Sequence, residues 1–193
     1  MTQTTVRRPL AVRAAATVAL AFALGAAVPA AAFAKNPMVG GAPMYASKNI
    51  VENAVNSKDH TTLVAAVKAA GLVDTLASPG PFTVFAPTNA AFAKLPAGTV
   101  ETLVKPENKA TLTKILTYHV VPGVYTGRDL MKLVKDGGGE AQLKTVEGEP
   151  LVIQSKGKKL YVTDAKGSTA TVTIANVMQS NGVIHVINGV LQP

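Results

Sequence analysis

The chain has 193 residues, 48% of them hydrophobic and 16% charged, which is enough for one substantial core and short for two. It contains no cysteine, which excludes disulfides and thiolate metal sites, and no tryptophan with only 5% aromatic residues, which argues against the stacking platforms that hold single-stranded nucleic acid. The formal charge of +8 includes Arg7, Arg8 and Arg13, which lie in a segment expected to be removed; without these three arginines the balance is +5, a mild bias towards anionic surfaces with no arginine-rich face for nucleic acid.

Residues 1–34 have the layout of a signal peptide. A basic start with Arg7, Arg8 and Arg13 is followed by an apolar run from Ala14 to Val28 and a small-residue cleavage site, Ala32-Phe33-Ala34. Lys35 is then the expected mature N-terminus, and the protein is expected outside the cytoplasm: secreted, periplasmic or at the cell surface. The Arg7-Arg8 pair admits a twin-arginine route beside general secretion. No second long apolar stretch follows, so no stable transmembrane anchor is expected. Residues 35–47, with Pro37, Gly40, Gly41 and Pro43 and no period, read as a flexible lead-in, and a single domain is expected over 48–193.

From Asn49 the pattern is helical. Ile50, Val51, Ala54 and Val55 form one stripe; Leu63, Val64, Val67 and Ala70 form another, ended by Gly71. A short helix over Leu72–Leu76 and the turn Ser78-Pro79-Gly80 lead into PFTVFAPTNAAF (81–92), where a β-branched and aromatic run stops at Pro87. Thr88 is placed there to cap a helix over 89–95. Further helices are predicted at 100–104, after Pro106, and at 127–135, with Leu130, Met131 and Val134 inward. Thr117–Val121 is predicted as a strand. The three glycines 137–139 are followed by Glu140 rather than a Lys-Ser/Thr pair, so they form a turn and not a phosphate loop. From Glu140 the period is two: strands are predicted at 141–146, 151–154, 160–163, 171–177 and 183–187, with turns at Lys156-Gly157 and Asn181-Gly182. Helices first and strands last predict an α+β domain.

Three separated blocks, PFTVFAPTNAAF at 81–92, ILTYHVVPG at 115–123 and SNGVIHVINGVLQP at 180–193, together resemble the fasciclin (FAS1) family. The resemblance spans about 49–193 and implies a wedge of β-strands with helices packed beside it. It makes Tyr118 and His119 the first candidates for partner contact, with a purely structural role for the pair as the alternative; Phe85, Pro87, Thr88, Asn181, Gly182 and His185 are the structural motif. Asn89, Asn176 and Asn188 stand where Asp is frequent in the family, which puts any carboxylate role there in doubt. Each block occurs once, so a single module is expected, unable to bridge two partners without self-association or a second face.

Of the three histidines, His60 reads as a solvated helix-start residue. His119 and His185 fall in apolar runs, where a neutral imidazole must satisfy both ring nitrogens. A two-histidine metal site lacks a third ligand, and no metal or cofactor is expected. Ser180 near His185 is not set in a nucleophile elbow, so an exported hydrolase is a distant alternative and no enzyme is expected. The resemblance implies non-covalent binding in adhesion, to a cell-surface or matrix protein or polymer, anionic ones included. The alternative is a carrier of an apolar small molecule such as a carotenoid or lipid, held between helix and strand, with Met131 and Met178 as adaptable lining residues.

Overall fold

The structure, a computed structural model, describes residues 36–193; the expected signal peptide lies outside the described residues. Three of the helices, α1, α4 and α7, start on a side-chain cap that the sequence supplies. Asn49 and Glu52 exchange side-chain and backbone hydrogen bonds in a capping box that opens α1 (Ile50–Ala54). α2 (Thr61–Ala70) ends on Gly71 in the left-handed conformation, φ 72°. α3 (Val73–Ala77) precedes β3 (Phe82–Pro87), and the Thr88 hydroxyl accepts from the Ala91 N–H to open α4 (Asn89–Phe92). α5 (Thr99–Leu103) and α6 (Lys109–Tyr118) follow, and a Thr126–Asp129 capping box opens α7 (Gly127–Asp136).

The sheet has seven strands in the order β4-β3-β9-β8-β7-β6-β5, where β4 is Val120–Pro122, β5 Glu140–Lys144, β6 Pro150–Lys156, β7 Lys159–Thr163, β8 Thr169–Gln179 and β9 Gly182–Ile187. β3 and β9 pair in parallel, Phe85 opposite His185, and the other pairs are antiparallel. Register shifts between Val172, Ile174 and Val177 bend β8, so it pairs with β9 along one part and β7 along another.

β3 and β9 are covered on both faces, which is why they read as unbroken apolar runs. Val84, Ala86, Ile184 and Val186 face one core with Ile50, Leu63, Val67, Leu112 and Leu116 from the helices. Phe85 and Ile187 face a second core with Leu130 and Val134 of α7 and Leu151, Ile153 and Val162 of β6 and β7. At about 25 cal/mol per Å² of apolar surface removed from water, these two cores are the main stabilising term. The helices stand beside a bent sheet, as the α+β expectation has it.

Three expectations need correction. Thr117 and Tyr118 are helical: α6 runs through Tyr118 and His119 is its C-cap. The Leu112–Leu116 stripe continues the helix for two residues against their β preference, and the Thr117 hydroxyl bonds back to the Thr113 carbonyl. Residues 35–47 do not form an unpatterned lead-in among the described residues; β1 (Met38–Val39) pairs with β2 (Ala42–Pro43), and Val39 and Met44 enter the first core. The tight turn after β8 is Ser180-Asn181, with Gln179 paired to Gly182. Gly182 is required as the first residue of β9, because a Cβ there would collide with the Phe82 carbonyl oxygen.

Candidate functional site

The residues singled out by the three motif blocks converge inside the sheet. Tyr118 at the end of α6 is 0% exposed. Its hydroxyl donates to the Pro150 carbonyl at 3.1 Å and accepts from the Ala165 N–H at 2.9 Å. His119 is 2% exposed. Its Nδ1 lies 2.8 Å from the Ile115 carbonyl and its Nε2 accepts from the Leu191 N–H at 3.0 Å. Donation from Nδ1 and acceptance at Nε2 fix a neutral imidazole. Burial pushes the His119 pKa down to about 4, with the Ile115 carbonyl and the Asp164 charge offsetting only part. Both rings are sealed in, and their polar atoms are taken by the chain itself, which favours the structural alternative for Tyr118 and His119 over partner contact.

His185 sits on the opposite strand. Its Nε2 donates to the Tyr125 carbonyl at 2.8 Å, its Nδ1 accepts a long bond from the Asn176 N–H at 3.4 Å, and its ring stacks on Phe85 with centroids 5.7 Å apart. Burial lowers its pKa, opposed by the Tyr125 carbonyl. With both nitrogens committed and Ser180 exposed on the turn, His185 has no free lone pair to serve as a base for that hydroxyl. Among the described residues no group of three His, Cys, Asp or Glu is arranged to hold a metal ion.

Asn181 ties the motif to the helices. Its Oδ1 accepts from the Ile50 N–H at 3.0 Å, and its Nδ2 donates to the Leu76 and Ser78 carbonyls at 2.8 Å each. Asn181→Ala is expected to destabilise the protein by about 2 kcal/mol, because the half-buried Ser78 carbonyl can turn to water while the Ile50 and Leu76 groups cannot. Urea unfolding checks this; an unchanged midpoint contradicts it. Asn89 also uses its amide as a donor, to the Lys58 carbonyl and the Thr61 hydroxyl. A carboxylate could not do this. Asn188 accepts from the Thr171 N–H.

His60 is not solvated; it is 3% exposed, because a 3₁₀ turn (Lys58–His60) folds it under the helices. Nδ1 meets the Ser57 hydroxyl at 2.8 Å. The Ala86 carbonyl lies near enough to offset part of the burial that lowers the His60 pKa, but Nε2 makes no bond of acceptable geometry. It borders an apolar cavity of about 50 Å³ between α1, α2 and the sheet. A cavity of roughly 150 Å³ takes a benzene, so this space does not hold a carotenoid or lipid, and neither Met131 nor Met178 lines it. Met178 faces outward, 40% exposed.

Asp164, which no motif block contains, is buried and accepts from the Lys166, Ser168 and Gln192 N–H groups, pinning the segment that carries Leu191 to His119. Its signal in the sequence is the run Asp164-Ala165-Lys166-Gly167-Ser168, an Asx-type turn. On the outside, an open cleft of about 720 Å³ runs between α7 and β7–β8, bordered by Arg128, Met131, Lys158, Lys159, Leu160 and Val172.

A bent sheet backed by helices, whose motif residues serve its interior, defines a FAS1-type α+β module. Residues 58–193 match the Fasciclin domain family, and the chain belongs to that family. It is 47% identical to Protein sll1483 of Synechocystis sp. over 92% of this chain and 93% of that one. It is 39% identical to transforming growth factor-beta-induced protein ig-h3 of Sus scrofa over 68% of this chain, but over only 17% of that much longer protein. Among solved structures, a FAS1 domain pair from the insect cell adhesion molecule Fasciclin I superposes with a TM-score of 0.67 at 19% identity, covering 76% of this chain and 51% of that one; this likeness concerns the fold.

Proposed function

We propose that the protein is an exported binding module that acts in adhesion, at the cell surface or in the surrounding matrix, and that it is not an enzyme. The observation that carries this reading is the inward commitment of the motif. Tyr118, His119, Asn181 and His185 are buried and bonded to backbone groups, so the shared residues build a rigid body and the outer surface is left for contact. Membership of the fasciclin family supports it, as does the description of the superposed Fasciclin I as a cell adhesion molecule. Among the described residues no helix is long and apolar enough to cross a membrane.

A surface coated with the purified protein is expected to retain cells or matrix of its own source, and soluble protein is expected to compete. Retention no greater than on a surface coated with an unrelated protein of similar charge contradicts the reading.

A further inference from the structure

We propose that the cleft between α7 and the β7–β8 hairpin binds a single-chain aliphatic anion, a carboxylate head on a hydrocarbon tail, which adds a small-molecule ligand to the adhesion reading and does not depend on it. Its floor is apolar, formed by buried Leu160 and half-buried Met131 and Val172. Its rim carries three exposed cations, Arg128, Lys158 and Lys159, and no acidic residue borders it. Among the described residues none of these cations is in an ion pair, and nearby Asp129 is turned to its own cap, accepting from the Thr126 N–H and hydroxyl.

One end of the cleft is fixed by built-in geometry. Asn176 adopts φ 62°, the one left-handed non-glycine among the described residues, at the second irregularity of β8. Its Oδ1 accepts from the Gly127 N–H at 2.6 Å, and a Cβ on Gly127 would lie 3.4 Å from that oxygen and 3.5 Å from Ala175 Cβ. The start of α7 is therefore clamped against the bent strand, and a strained residue is kept at the wall of a cleft. At about 720 Å³ the space has the size of a small-molecule site. An uncharged apolar ligand leaves the three cations unused, and a bare anion leaves the apolar floor wet. An amphiphilic anion satisfies both.

Calorimetric titration of the purified protein with decanoate, decanol and inorganic phosphate tests this. Decanoate is expected to bind saturably, at least about tenfold tighter than decanol, with no saturable binding of phosphate and with weakening as salt is raised. Replacing Lys158→Ala and Lys159→Ala together is expected to weaken decanoate about tenfold without moving the thermal midpoint, since each exposed charge contributes up to about fivefold. No decanoate binding, equal affinity for decanol, saturable phosphate binding, or an unchanged affinity in the double lysine variant each overturns the proposal.

Discussion

Tyr118→Ala is expected to cost about 5 kcal/mol, as much as the whole stability of the less stable ordinary domains. Truncating a buried aromatic ring costs roughly 3–5 kcal/mol in lost transfer energy and cavity formation. Here the deletion also removes the hydrogen bonds of the phenol to the Ala165 N–H and the Pro150 carbonyl; both belong to exposed residues and can turn to water, so the ring carries most of the cost. Tyr118→Phe separates the two contributions: it keeps the ring and loses only the hydroxyl, for about 2 kcal/mol. The pair can be read by urea unfolding, and for a domain of this size 2 kcal/mol corresponds to a thermal midpoint lower by about 6 °C. A Tyr118→Ala protein as stable as the parent contradicts the burial on which the site description rests. Loss of cell retention in Tyr118→Ala therefore says nothing about contact until the variant is shown to be folded.

Acid is expected to destabilise the protein through the same cluster. His119 is held at a pKa of about 4 in the fold and titrates near 6.5 when unfolded. The unfolded chain therefore takes up a proton before the folded one does. The stability this group contributes is fully present above about pH 6.5 and is lost progressively as pH falls towards about 4. A gap of roughly 2.5 units amounts to about 3 kcal/mol. His60 and His185 are shifted in the same direction by burial and add to the loss. Denaturant midpoints at pH 7, 5.5 and 4 are expected to fall steadily, and His119→Gln is expected to flatten the slope whatever it costs at neutral pH. A midpoint independent of pH across this window contradicts the neutral, buried assignment.

Much of the fold is written locally. Pro87 and Thr88 stop a strand and cap a helix within two residues, and Gly71 ends α2 by its backbone conformation. The hairpin turn expected at Lys156-Gly157 falls one residue later, at Gly157-Lys158, where Lys156 pairs with Lys159 and Gly157 takes φ 62° between two alternating runs. Where the fold departs from the local pattern, a tertiary contact decides. Thr117 and Tyr118 have strand preferences, but the Leu112 and Leu116 stripe packed under the sheet carries the helix through them. The two-residue strands at 38–43 contain too few residues for a period to be visible, and only the burial of Val39 and Met44 reveals their role.

The candidate sites divide in the same way. That His119 and His185 are satisfied by backbone groups follows from an apolar setting that forbids an unpaired ring nitrogen. That Tyr118 points inward does not follow, because a strand and a helix end aim that side chain differently. Nor is the outer cleft legible, since its cations and floor come from α7, β7 and β8 and meet only through the bend at Asn176. Among the described residues, His60 Nε2 is the buried side-chain atom left unpaired, the reverse of what a polar turn with Lys58 and Asp59 implies.

The interior character of the shared motif can be measured without knowing any partner, by following the imidazole nitrogens of His119 by NMR as pH is lowered. The structure predicts a neutral ring with its proton on Nδ1 at pH 5.5, titrating only near pH 4. A His119 that titrates near pH 6.5, as a solvated imidazole does, would place the Tyr118–His119 pair at the surface and return it to the role of contact site.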